Sequence, residues 1–242
     1  MFAEVEEVKR LILSSFNQLR FVEETHQYFI EDNELISVSN TIKNFYEPFD
    51  AEGNAARYGA KAEAKKAEWK KAGDDACDLG HKVHAFAETR FDNPNVIPSD
   101  GYEVGVMKFW ASLPKWIIPV LKETKVYNRD KTFSGTFDVT LYDLKRQGII
   151  LADYKTNKNL FKNYKGKKML PPFEFLLDTP YNHYQVQQSL YQIPLEEIGL
   201  KIIDRWLVHL IPNPTNPLTD GDFKKYELYD FTNHLKQWEK RK

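Results

Sequence analysis

Apolar and polar positions along this chain repeat with two periods, and the switches between them mark its elements. Between residues 4 and 19, Val5, Val8, Leu11, Ile12 and Phe16 have the spacing of one helix face. Residues 21–39 read as a hairpin: His26-Gln27-Tyr28-Phe29-Ile30, a turn at Glu31-Asp32-Asn33, then Leu35-Ile36-Ser37-Val38. Ser39-Asn40 would cap a short helix through Phe45 that ends near Pro48. A Lys/Ala-rich helix is expected over 51–71, with Ala72-Gly73 as its break. A second helix would start at Asp75 or Asp78 and run through Phe91 to the stop at Asn93-Pro94. Ser99 or Asp100 would cap a helix over 102–113. Pro114 interrupts, and a strand follows at 123–128. Beyond the central hairpin come a lysine-rich loop at 157–179 with Pro171-Pro172, expected to be mobile or ordered by a partner, then a helix at 181–199 and a strand at 205–211. A Pro/Asn loop, a short Tyr/Phe segment and a charged C-terminal helix complete the chain. This order predicts an α/β fold, a mixed central sheet flanked by helices.

The hairpin at 137–154 carries the best clue to chemistry. With its turn centred between Lys145 and Arg146, Phe137 faces Tyr154, Val139 faces Ala152 and Leu141 faces Ile150, a consistent apolar face. The same register sets Asp138 opposite Asp153, and Thr136 opposite Lys155. Directly opposed residues lie roughly 4.5–5.5 Å apart at Cβ, and a one-residue slip would turn both aspartates onto the apolar face. Two carboxylates that close repel unless a cation sits between them or one is protonated, and carboxylate oxygens are the usual ligands of Mg²⁺ and Mn²⁺. A wet sheet face with a cross-strand Asp–Lys pair is the alternative use of the same residues.

Composition narrows the class. The chain has 242 residues, 42% hydrophobic and 29% charged, which suits one domain with a substantial core. Cys77 is the single cysteine, so neither an internal disulfide nor a cysteine-ligated zinc or iron–sulfur cluster is expected. No apolar run is long enough for a membrane span, and the acidic start MFAEVEEVKR does not resemble a signal peptide. An intracellular, cytoplasmic protein without a membrane partner is expected. Net charge is −1, but its distribution is uneven. Residues 155–168 hold six lysines and no acid, and residues 61–71 hold five lysines against two glutamates, interleaved with alanine and Trp69. Either patch could track a phosphate backbone; either could be a solvated surface.

Two further constellations flank the hairpin. Gly80, His84 and Glu88 lie on a predicted helix, with His84 and Glu88 four apart on one face. They could complete a metal shell, or be a surface His–Glu pair, or His84 could be a satisfied core histidine. Gln187 and Tyr191, also four apart on a helix, could position phosphates or support ligands from behind, or bond to backbone in a part-buried helix.

In order the chain therefore reads Gly80-x-x-x-His84-x-x-x-Glu88, Gly135-x-x-Asp138, Asp153-x-Lys155-Thr156 and Gln187-x-x-x-Tyr191. This resembles the RecB-like exonuclease branch of the PD-(D/E)XK nucleases over roughly residues 21–211. The segment 26–38 is similar to the lead-in of phage-encoded members and of the mitochondrial genome maintenance exonucleases. Phe137 stands where this branch commonly has proline, and no Gly-x-x-x-x-Gly-Lys-Ser/Thr motor loop is present.

The resemblance implies a restriction-endonuclease-like core and a single nuclease domain over 1–242, with an N-terminal helix at 1–20 and an extension at 212–242. It implies Mg²⁺- or Mn²⁺-dependent hydrolysis of DNA phosphodiesters, by an exonuclease on single strands or duplex ends, in replication, recombination or repair. Asp138, Asp153 and Lys155 would be catalytic. His84, Asp138, Asp153 and the Tyr154 carbonyl would hold the metal, and Glu88, Gln187 and Tyr191 would support. Lys158, Lys162, Lys165, Lys167 and Lys168 would contact DNA, and Tyr154 or Phe161 could stack on bases. A phage-borne protein working beside a separate helicase or recombinase in a host cytoplasm is the implied setting. A structure-selective or nicking endonuclease, a non-catalytic DNA-binding scaffold and a metalloenzyme outside nucleic acids are the competing expectations.

Overall fold

The computed structural model describes residues 2–239. Met1 and the last three residues of the expected C-terminal helix lie outside the described residues. The fold is α/β: an eight-stranded mixed sheet between two helical layers. Helix α1 (Phe2–Ser15) leads into strands β1 (Leu19–Val22), β2 (Gln27–Ile30) and β3 (Asn33–Ser37), an antiparallel meander. The short helix α2 (Val38–Thr41) is capped by Ser37, whose side chain accepts from the Asn40 N–H, so the cap falls two residues before the predicted one. A 3₁₀ turn over Ile42–Phe45 follows.

Helices α3 (Ala51–Ala56) and α4 (Ala62–Asp92) correct the next expectation. The chain breaks at Arg57–Lys61, where Gly59 takes φ +54°, and not at Ala72-Gly73. Gly73 is carried inside α4 because a glycine costs a helix only about 1 kcal/mol. Two i,i+4 ion pairs, Lys70–Asp74 at 2.6 Å and Lys71–Asp75 at 2.7 Å, span it. A Cβ added to Gly73 would meet nothing within 4 Å. Gly73→Ala is therefore expected to raise stability by about 0.5–1 kcal/mol in a denaturant titration; a loss of stability would mean that the helix is interrupted there after all.

Helix α5 (Gly101–Ser112) starts at Asp100, which caps it by accepting from the Glu103 N–H. Strand β4 (Ile117–Tyr127) begins six residues earlier than predicted, its apolar lead-in being part of the sheet. It pairs antiparallel with β5 (Phe133–Asp143), which forms the hairpin with β6 (Gly148–Lys155). The loop at 157–179 packs Leu160, Met169 and Phe173 into the body, while 161–168 between them is largely exposed. Helix α6 (Pro180–Glu197) returns the chain to β7 (Ile202–Pro212), parallel to β6. The Tyr/Phe segment is a full strand, β8 (Gly221–Glu227), and α7 (Thr232–Glu239) ends the described chain.

Both faces of the sheet are covered. Val186, Leu190 and Ile193 of α6 pack with Ile12 of α1 and with Phe137, Ile149 and Leu151 of the hairpin. On the other face Val83 and Phe86 of α4 and Phe109 of α5 meet Val139, Leu141, Ile150, Ala152 and Tyr154. No helix among the described residues is long and apolar enough to cross a membrane.

Candidate metal centre and groove

The predicted hairpin register holds where the strands pair: Val139 opposes Ala152 and Leu141 opposes Ile150. The ladder ends there, one step short of the aspartates, so neither Asp138–Asp153 nor Thr136–Lys155 is a cross-strand pair. Three local features explain the stop. Strand β6 continues alongside β7, in register through Lys155–His209. Strand β3 takes the abandoned edge of β5 at Phe133 and Ser134. Opposite Asp138, Glu123 of β4 adopts φ +41°, a conformation that L residues rarely take and that breaks the regular alternation. Phe137 consequently packs with the α6 layer and Tyr154 with the α4/α5 layer, so the two do not share the predicted apolar face. Thr136 bonds instead to the Tyr28 hydroxyl at 2.9 Å.

The fork leaves a notch, and polar groups fill it. Asp138 Oδ2 accepts the Tyr154 N–H at 2.7 Å, which is how Tyr154 enters the site. The Tyr154 ring is core, edge-on to Phe109 and His84, and has no free face for a base. His84 of α4 brings Nδ1 to 3.4 Å from Asp138 Oδ1 and 3.6 Å from Glu123 Oε1. Lys155 Nζ lies 2.5 Å from Asp153 Oδ2 and 4.8 Å from the centre of the Tyr184 ring. Asp138 and Asp153 are 7% and 2% exposed, so this is not the wet sheet face that the hairpin alone would also allow.

The electrostatics are those of a crowded, dry site. Burial, then the charge of Asp138, pushes the Asp153 carboxyl up to about 6. Burial likewise raises Asp138, against the pull of His84 and Lys155. The charge of Asp138 outweighs burial at His84 and raises its imidazole to about 9. Burial opposes the Lys155 ammonium, but Asp153 and Asp138 outweigh it and keep the proton on.

The donor set fits a hard divalent cation. Ligand atoms of His84, Glu123 and Asp138 lie within 4.8 Å of one another, and the charge of Asp153 reaches the same notch. Two carboxylates and an imidazole suit Mg²⁺ or Mn²⁺. Glu123 was not legible as a ligand. Its only signal is a charged run, Lys122-Glu123-Thr124-Lys125, inside a strand whose Val120 and Val126 are core. Glu123→Gln is expected to raise the Mn²⁺ concentration needed for half-maximal thermal stabilisation by roughly 10-fold or more; an unchanged titration would remove Glu123 from the shell.

The remaining predicted residues divide. Glu88 lines the groove beside the notch but is outside the three-residue cluster. Gln187 donates to the Tyr191 hydroxyl at 3.4 Å, and its own amide oxygen is buried without a hydrogen-bond partner among the described residues. The Tyr191 ring fills the space over Gly135, where an added Cβ would lie 2.6 Å from it, so this glycine is required by a close approach.

The notch opens into a groove of about 2310 Å³. One wall is α4, whose residues 62–79 include no fully buried side chain. The other wall is the segment after Lys155, with Lys158, Lys162, Lys165 and Lys167 all lining it. Lys168 is exposed but does not line the groove. Phe161 also lies outside the groove lining, packed on Tyr181 and Tyr226. Of the patch at 61–71 only Trp69 reaches the groove: Lys65, Lys66, Lys70 and Lys71 are ion-paired to nearby acids. The groove also presents Glu47, Asp50, Asp75 and Asp178, so its positive charge, densest on the 155–167 wall with Arg57 and Lys125 elsewhere, is interleaved with acids. No known protein family matches the chain, and no curated protein does so at significant similarity.

Proposed function

We propose that this chain is a Mg²⁺- or Mn²⁺-dependent deoxyribonuclease of the RecB-like PD-(D/E)XK type, with a restriction-endonuclease-like core, acting as an exonuclease on single strands or DNA ends. The observation that carries this reading is the convergence of His84, Glu123, Asp138, Asp153 and Lys155 at a fork of the sheet that opens into the groove. A groove of about 2310 Å³ is larger than the roughly 300–1,000 Å³ of small-molecule pockets and suits a polymer. The lysine-lined wall gives a phosphate backbone its counter-charges, and buried carboxylates raised by their surroundings beside a groove cluster at functional sites.

Asp138, Asp153 and Glu123 would hold the cation with His84, the Tyr154 carbonyl completing the shell. When bound, it would acidify a water and neutralise charge on the phosphate. Lys155, kept protonated by Asp153, would face the phosphate oxygen on which charge develops. The Asp138–Tyr154 hydrogen bond fixes the carboxylate before substrate arrives. Gln187 and Tyr191 brace the notch from the α6 side, with Glu88 orienting groups at its rim. DNA is the partner; a helicase or recombinase would supply ends, and the cytoplasm is the compartment this chemistry suits.

Linear and circular single-stranded DNA, incubated with the purified chain and Mg²⁺, Mn²⁺ or chelator, test the reading. Shortening of the linear strand only, abolished by chelator, is expected. Equal cutting of the circle would make the protein an endonuclease, and no metal-dependent cutting of either would remove the nuclease reading.

A further inference from the structure

Far from the notch, at the other end of the α4 wall, three aromatic side chains stand in the groove. Trp69 meets Phe49 edge-on at 5.2 Å between ring centres and Tyr58 at 6.1 Å. Phe49 is 65% exposed and Tyr58 48%, so this is not a core cluster but apolar surface held open to the groove. Among the described residues Arg57, which lines the same stretch, and Lys158 and Lys165 on the facing wall have no ion pair. Lys167, by contrast, is tied to Glu47 at 2.8 Å. Tyr164, 64% exposed with Lys162 Nζ 4.8 Å from its ring centre, adds a ring on the facing wall.

The continuity of α4 gives this cluster a fixed distance from the notch. Trp69 and His84 are on one unbroken helix, 15 residues apart and so about 22 Å along its axis. Between them the small residues Ala72, Ala76 and Gly80 alternate with Asp75, Cys77, Leu79 and His81 along the groove. A Cβ on Gly80 would meet nothing within 4 Å, so the protein itself does not need the glycine there. At about 3.4 Å per stacked nucleotide, 22 Å is on the order of six nucleotides, and fewer if the strand is stretched.

We infer that Phe49, Tyr58 and Trp69 form a stacking subsite for unpaired bases, holding a single strand about four to six nucleotides from the phosphodiester at the fork. The inference rests on the nuclease reading and specifies its substrate as a single-stranded segment, since bases paired in a duplex have no free faces to offer side-on rings. Base–aromatic stacking is tolerant of sequence and is lost when the ring is removed.

The test is fluorescence anisotropy of a labelled 12-nucleotide oligothymidylate, with chelator present to prevent cutting, on the full chain. Trp69→Ala and Phe49→Ala are each expected to weaken binding roughly 10-fold. Phe49 is exposed enough that its variant keeps the test independent of any folding defect in the first. Trp69→Phe should bind like the native chain but lose the DNA-induced quenching of tryptophan fluorescence. Native affinity in both alanine variants, or tighter binding of a 12-base-pair duplex than of the single strand, would overturn the subsite. Those results, in a chain that still cuts DNA with metal, leave the nuclease reading standing. A native chain that neither binds nor cuts DNA overturns both.

Discussion

Asp153→Asn should reduce metal-dependent cleavage by at least about 10³-fold while leaving the folded protein as stable as the native one, or more so, at neutral pH. The two halves of this expectation have one cause. Asp153 is buried beside Asp138, and its folded-state carboxyl titrates near 6, above the unfolded carboxylate. A group raised in this way contributes stability below about pH 4 that is lost as pH rises through 6. At neutral pH its charge is therefore a cost of the metal-free fold, on the order of 1–3 kcal/mol with the pairing to Lys155 already included. The amide removes that charge and keeps a polar neighbour for Lys155. Cleavage assays and thermal melts of the same preparation decide the matter. A several-degree fall in melting temperature would make Asp153 a structural residue, and near-native cleavage would take it out of the chemistry.

Manganese should stabilise the protein more strongly as pH rises from 6.5 to 9. The metal-free protein should itself become less stable over the same interval. His84 carries a proton up to about pH 9 because of the charge of Asp138. Since that value lies above the unfolded imidazole's, the stabilisation is complete below pH 6.5 and disappears through pH 9, worth on the order of 2–3 kcal/mol. A metal ligand must give up this proton, so affinity gains up to roughly tenfold per pH unit as the imidazole is freed. Melting curves across this range, with and without Mn²⁺, test both halves. A metal-induced shift independent of pH would show that His84 stays outside the shell. A metal-free melting temperature flat from pH 6.5 to 9 would contradict the His84–Asp138 coupling.

The parts of the site that are local in sequence were legible, and those made by a change of direction in the chain were not. Alternation located the hairpin and its register, since Val139–Ala152 and Leu141–Ile150 are set by turn and pleat. It also assumed that the ladder runs on, whereas β6 departs to β7 and β3 replaces it, an event decided by strands about 50 and 100 residues away in sequence. Helical spacing put His84 and Glu88 on one face, but only the approach of α4 to β4 shows that His84 meets Asp138 while Glu88 stays at the rim. Glu123 is only the first residue of the strand expected over 123–128; its left-handed backbone, invisible to propensity, turns it to the notch. Gly73 misled for the opposite reason, because a weak local breaker was overridden by flanking ion pairs.

The claim at the centre is that the fork of the sheet is a divalent-metal site. Calorimetric titration of Mn²⁺ into the native chain and into Asp138→Asn, at pH 8, tests it most directly. Saturable binding to the native chain that is lost in the variant is expected. Absence of binding to the native chain, or equal binding to both, would contradict it.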